Sequence, residues 1–197
     1  MRKIDLLEKI SNENRGILKL KDAVDAGISK TYFFEFVKKM GYEQVARGIY
    51  LSPDAWEDSM YIIQMRYREA VFSHETALYL LDLADREPLQ YTVTLKRGYN
   101  PENLIKQGIK VYTVKEEWYA IGIVEIESPM GHTLKVYDAE RTLCDIFKGH
   151  SQVEIQDRQI AIREYVRKSG KDIPRLMEYA KIFKTDKLIK TYLEVLL

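Results

Sequence analysis

Ile4, Leu6, Leu7 and Ile10 recur at roughly helical spacing until Asn14-Arg15-Gly16 interrupts them, so the pattern predicts a first helix ending there. Gly16-Ile17-Leu18-Lys19-Leu20 is short and apolar, suited to one strand or to the lead-in of a helix. A second helix is expected from about Leu20 to Ala26, stopped at Gly27, where a positive φ costs little. Ser29 then stands where its side-chain oxygen can cap a third helix over Lys30 to Met40. At roughly 100° per residue, Phe33, Phe36, Val37 and Met40 make the inward stripe of that helix. Thr31, Glu35, Lys38 and Lys39 lie across from it, with Tyr32 on one flank and Phe34 on the other. Tyr42–Val45 and Gly48–Leu51 can pair as a small hairpin tipped by Arg47-Gly48.

The pattern then becomes mixed. Segments 55–68 and 74–83 read as helices, with Ser73 placed to cap the second. Tyr91–Leu95, Ile109–Val114, Ile121–Glu127 and Thr133–Tyr137 alternate or run apolar over strand lengths. Helices are expected again at about 139–148, 154–168, 172–183 and 186–196. Strands in the middle with helices at both ends predict an α+β fold. Ser52-Pro53-Asp54 marks the expected boundary between a unit of residues 1–52 and one of residues 53–197.

Composition changes this picture little, but charge distribution adds to it. A chain of 197 residues, 46% hydrophobic and 31% charged, belongs with globular rather than disordered proteins. The single cysteine, Cys144, excludes an internal disulfide and a cysteine-rich zinc site. It reads as a small buried residue rather than a nucleophile. No stretch has the length of a signal peptide's apolar core or of a membrane span, so a cytoplasmic location and no membrane partner are expected. Residues 1–52 carry ten Lys/Arg against seven Asp/Glu, residues 53–147 ten against sixteen, and residues 148–197 eleven against seven. The near-neutral total of +1 therefore hides two basic ends around an acidic middle, a distribution that suits a polyanionic partner.

Three helices followed by a basic-tipped hairpin is the plan of a winged helix-turn-helix. In that plan Lys30, Thr31, Tyr32, Glu35, Lys38 and Lys39 of the third helix face the major groove. Arg47 supports them from the wing, at a minor groove or a phosphate. Glu35 would repel phosphate unless it accepts a hydrogen bond from a cytosine amino group. The alternative is a small helical subdomain on which Lys38 and Lys39 are merely solvated.

Three segments carry a further resemblance: "LKDAVDAGISKTYFFEFVKKMGYEQVARGIYLSP", "FSHETALYLLDLADREPLQYTVTL" and "VYDAERTLCDIF". In this order and spacing, across nearly the whole chain, they resemble the AbiEi abortive-infection antitoxins. The resemblance implies a type IV antitoxin with an N-terminal winged helix-turn-helix and a C-terminal antitoxin domain of mixed α/β structure. It implies repression of the chain's own operon at promoter inverted repeats, and a role in phage resistance. The partners it implies are operator DNA and a nucleotidyltransferase-like toxin that need not be touched directly.

The remaining motifs read as structural. His74-Glu75 invites comparison with a metalloprotease helix, but that chemistry needs a second histidine where Leu78 stands. Asp138 is placed as a helix cap, and Arg141 and Asp145 stand at the spacing of an ion pair. No metal, cofactor or catalytic residue is expected, and the chain does not read as an enzyme. Arg163, Arg167, Lys168, Lys181, Lys184 and Lys187 form a candidate second nucleic-acid patch, with Tyr179, Phe183 and Tyr192 available for stacking. Ordinary solvation of amphipathic helices is the competing account of those charges, and core packing that of the rings. The competing function is a protein-binding antitoxin without sequence-specific DNA binding.

Overall fold

In the computed structural model, which describes residues 2–197, the chain divides into two units. One runs through Arg68 and the other spans Glu69 to Leu197. Helices and two sheets make the fold α+β, as the pattern predicts.

The first unit runs α1 (Lys3–Glu13), β1 (Ile17–Lys19), α2 (Leu20–Asp25), α3 (Lys30–Lys39), β2 (Glu43–Ala46), β3 (Ile49–Leu51) and α4 (Ser59–Arg66). The stretch left open between strand and helix is both: β1 passes directly into α2. The strands form an antiparallel sheet in the order β1-β3-β2. All three residues of β3 are buried, because both faces of the sheet are covered. Leu18 and Tyr50 join Leu7, Ala23, Ile28, Phe33, Phe36 and Val37 in a helical core. Ile17, Val45, Ile49 and Leu51 pack instead with Ile62 of α4. Arg66 adds a hydrogen bond to the Val45 carbonyl. This second layer is why the unit continues to Arg68 rather than ending at Ser52. The Ser52-Pro53-Asp54 turn signals mark a bend within the unit, and the expected boundary at 52/53 moves to 68/69.

The second unit runs β4 (Val71–Phe72), α5 (His74–Leu80), β5 (Thr92–Lys96), α6 (Glu102–Lys106), β6 (Lys110–Val114), α7 (Glu116–Tyr119), β7 (Ile123–Glu127), β8 (Thr133–Tyr137), α8 (Ala139–Ile146), α9 (Ile155–Arg167), α10 (Ile173–Phe183) and α11 (Asp186–Leu196). Its sheet has the order β6-β5-β4-β8-β7. The central strand is two residues long, parallel to β8 and antiparallel to β5. Leu78, Leu83, Leu143, Ile146, Phe147, Ile162, Leu176, Phe183 and Ile189 gather the helices around one core. Within it α8 is buried all round, from Glu140 to Ile146. Asp138 caps α8 by accepting from the Arg141 N–H at 2.7 Å, as its position predicts. Ser73 precedes α5 but does not cap it. Its Oγ is taken by the Thr94 hydroxyl at 2.9 Å and the His74 ring at 3.1 Å. Among the described residues, no helix is long and apolar enough to cross a membrane.

Candidate nucleic-acid interface

The turn "DAGIS" sets α3 at its start. Gly27 takes φ +85°, which L side chains rarely adopt, and the Ile28 N–H returns to the Ala23 carbonyl at 2.9 Å. The Ser29 side chain then accepts from the Tyr32 N–H at 3.4 Å, the predicted cap. Phe33, Phe36 and Val37 face inward as the wheel requires. Met40 does not: it closes the helix as its C-cap and is exposed, because the chain turns away at Gly41. Lys30, Thr31, Glu35, Lys38 and Lys39 are all exposed. Tyr32 is half-buried, packed on the helical core with the Lys3 ammonium 5.5 Å from its ring. Phe34, on the flank where the wheel puts it, is 45% exposed.

Lys30 and Arg47 come together. Both line a groove of 530 Å³ whose other charged members are Lys19, Lys21, Asp22, Asp25 and Arg68. The groove is held by the Leu20 N–H, which donates to the Gly48 carbonyl at 2.8 Å and ties the start of α2 to the hairpin tip. Gly48 takes φ +73° there, so the tip turns without strain. Five cations against two carboxylates leave the groove basic. Lys19 is partly engaged, donating to the Tyr61 hydroxyl at 3.0 Å.

Thr31, Glu35, Lys38 and Lys39 do not line this groove. Lys38 lies about 12 Å along the helix axis from Lys30. It and Lys39 occupy the last turn, where positive charge also suits the helix dipole. Sequence reading missed Lys19, Lys21 and Arg68. The first two flank the β1–α2 junction, and Arg68 lies beyond the boundary expected at Ser52, so convergence in space was the missing signal.

The candidate second patch comes apart. Arg163 lines a groove of 300 Å³ with Thr191, Tyr192 and Val195. Arg167 is paired with Glu164 at 2.7 Å, and the Lys168 ammonium donates to the Leu81 carbonyl at 2.6 Å. Lys168 also lines a separate cleft of 580 Å³ with Glu140, Lys171, Asp172 and Arg175. Lys181, Lys184 and Lys187 are exposed, but Lys184 takes φ +60° to end α10, and α11 starts at Asp186. One helical face through the three lysines therefore does not exist. Phe183 is buried, and Tyr179 and Tyr192 pack against the same core, so core packing is the account of the rings.

The polar centre of the second unit is the feature least visible in the sequence. Arg141, with no exposed surface, holds Asp145 at 2.8 Å and donates to the Trp118 and Ile121 carbonyls at 2.5 and 3.0 Å. Its guanidinium carbon lies 4.3 Å from the Tyr137 ring centre and 4.1 Å from that of Phe183. Lys148 binds the other Asp145 oxygen at 2.8 Å. Burial would raise the Asp145 carboxyl, but the two cations outweigh it and hold the group below the usual carboxylate range. His74, at φ +48°, stacks on Tyr112 with ring centres 3.7 Å apart. Burial pulls its pKa down to about 4, so the ring is neutral near pH 7. Burial pushes Asp138 up to about 6 and Cys144 up to about 12. Glu75 pairs with Lys110 at 2.8 Å. Arg141, Asp145 and Lys148 tie α8 to the Trp118–Ile121 segment, while one Arg141 terminal nitrogen, Nη2, is buried without a hydrogen-bond partner among the described residues.

No family model and no curated protein matches the chain. Among solved structures, the crystal structure of the RV2827C protein from Mycobacterium tuberculosis is similar, with a TM-score of 0.57 and 12% identity. The match covers 96% of this chain and 79% of that one. At that identity the likeness speaks to fold alone.

Proposed function

We propose that the chain is a DNA-binding antitoxin that represses its own operon. The observation that carries the DNA-binding part is the basic groove uniting Lys30, at the start of α3, with Arg47, at the β2–β3 tip. The order of helices and strands in the first unit supports reading it as a winged helix-turn-helix. α3 then enters the major groove with Thr31, Glu35 and Lys38 on its outward stripe. Arg47 and the groove cations neutralise phosphate, and the antitoxin occludes the promoter at an inverted repeat. The antitoxin part rests on the resemblance of the three segments to AbiEi proteins, and it places a nucleotidyltransferase-like toxin as the functional antagonist.

Changing Lys38, Lys39 and Arg47 together to Ala separates the two activities. The expected result is loss of promoter binding and of repression in a reporter strain, with protection from the toxin intact. Promoter binding unchanged by the triple substitution contradicts the DNA-reading assignment and leaves a protein-binding antitoxin. Loss of toxin protection in a variant that remains folded contradicts the division of labour.

A further inference from the structure

Phe34 is an exposed apolar residue beside the polar stripe of α3. It is 45% exposed on the flank of α3, with Thr31 one turn before it and Lys38 one turn after. The ring is nevertheless fixed. It meets Phe33 edge-on at 5.6 Å and 84°, and Tyr50 edge-on at 6.4 Å and 71°. A half-exposed aromatic braced by two core rings presents a rigid hydrophobic edge at little entropic cost on binding. Resting on the proposed DNA-binding reading, we infer that Phe34 is a specificity-determining residue that reads the 5-methyl group of thymine.

The reason is chemical. Every base pair presents hydrogen-bond donors and acceptors in the major groove, and thymine alone adds an apolar methyl group at C5. Phe34 has no polar atom to offer, so from the flank of α3 it discriminates through that methyl. Thr31, Glu35 and Lys38 supply the polar readout and charge around it. The result is a preference for thymine at one position of each half-site, over cytosine and over uracil in the same pairing.

The test replaces thymine by deoxyuridine in the promoter duplex, which removes the methyl and keeps every base pair. Binding is measured by fluorescence anisotropy for the full-length protein and for Phe34→Ala, with a scrambled duplex as control. The expected result is a loss of about fourfold per contacted methyl for the unmodified protein, the weight of one buried methyl group. Phe34→Ala binds both duplexes alike, and Phe34→Leu retains part of the discrimination. Because the uracil arm uses the unmodified protein, a poorly folded Phe34→Ala does not remove the test. Equal binding of thymine and uracil promoters overturns the role of Phe34 while the DNA-binding reading stands. A uracil penalty that persists undiminished in a folded Phe34→Ala also overturns it, since another residue then reads the methyl. Failure of the unmodified protein to distinguish promoter from scramble overturns the DNA-binding reading itself, and the inference with it.

Discussion

Asp145→Asn removes one charge and almost no volume, yet it is expected to be the most damaging conservative change in the second unit. Asp145 sits between Arg141 and Lys148, each 2.8 Å from one of its oxygens. The Arg141 side chain is fully buried and the Asp145 side chain is 3% exposed, so water cannot replace the lost carboxylate. An asparagine there accepts one hydrogen bond, points an N–H₂ at a cation, and leaves two adjacent positive charges in a low-dielectric core. Removing one partner from a buried pair costs about 3–5 kcal/mol. For a unit of this size that corresponds to a fall of about 12–20 °C in its melting temperature. Circular dichroism melts of the full-length protein measure this directly, with the exposed pair Lys190→Ala as the control, since those side chains meet in solvent. A loss smaller than about 1 kcal/mol refutes the reasoning, because it requires the network to be solvated or Asp145 to be uncharged. Replacing Arg141, Asp145 and Lys148 together by apolar residues recovers only part of the loss, because the Trp118 and Ile121 carbonyls then lack their donor.

Four other outcomes follow from the structure. The folded pKa of His74 is depressed to about 4, so its contribution to stability is full above about pH 6.5 and is lost as pH falls from there to about 4. His74→Asn, which tolerates the left-handed backbone, flattens the acid limb of a urea-midpoint profile by about 2 kcal/mol at pH 5; an unchanged limb contradicts the burial argument. Asp138, raised to about 6, acts in the opposite sense: its contribution grows as pH falls through 6, so Asp138→Asn steepens the same limb. A fragment ending at Ser52 exposes Ile17, Val45, Ile49 and Leu51, at about 1.5–3 kcal/mol for each side chain that becomes fully exposed, and is expected to be unfolded, whereas one ending at Arg68 is folded. Well-dispersed amide resonances from the shorter fragment refute the boundary drawn here. Lys30→Ala and Arg47→Ala each lower the salt dependence of promoter binding by about one unit of logarithmic slope; an unaltered slope removes those residues from the phosphate contacts.

Much of the backbone was legible because each element announced itself locally. The α3 stripe of Phe33, Phe36 and Val37, its Ser29 cap, the β2–β3 hairpin around Arg47-Gly48 and the Asp138 cap all depend on neighbours within a few residues. β8 begins and ends where its alternation predicts. What escaped was set by distant partners. β4 is two residues long and offers no period, although it sits at the centre of its sheet. α4 belongs to the first unit through Ile62 and Arg66, which a turn-rich Ser52-Pro53-Asp54 gave no reason to suspect. Ser73 has the composition of a cap, but Thr94 from a neighbouring strand claims its hydroxyl. The Arg141–Asp145 spacing was readable; its complete burial was not. The same holds for the candidate interface. Lys30 and Arg47 were identifiable from their positions on α3 and the hairpin, while Lys19, Lys21 and Arg68 join them only once the chain has folded.

The most direct test of the account is binding of the full-length protein to its own upstream promoter DNA, by fluorescence anisotropy at about 50 mM and about 200 mM salt. A scrambled duplex of equal length serves as the control. With about four to six phosphate contacts, affinity for the promoter should fall about 10²- to 10³-fold between the two salt concentrations. The promoter should be preferred over the scramble at both. Equal affinity for promoter and scramble contradicts the assignment of α3 and the basic groove as a DNA reader.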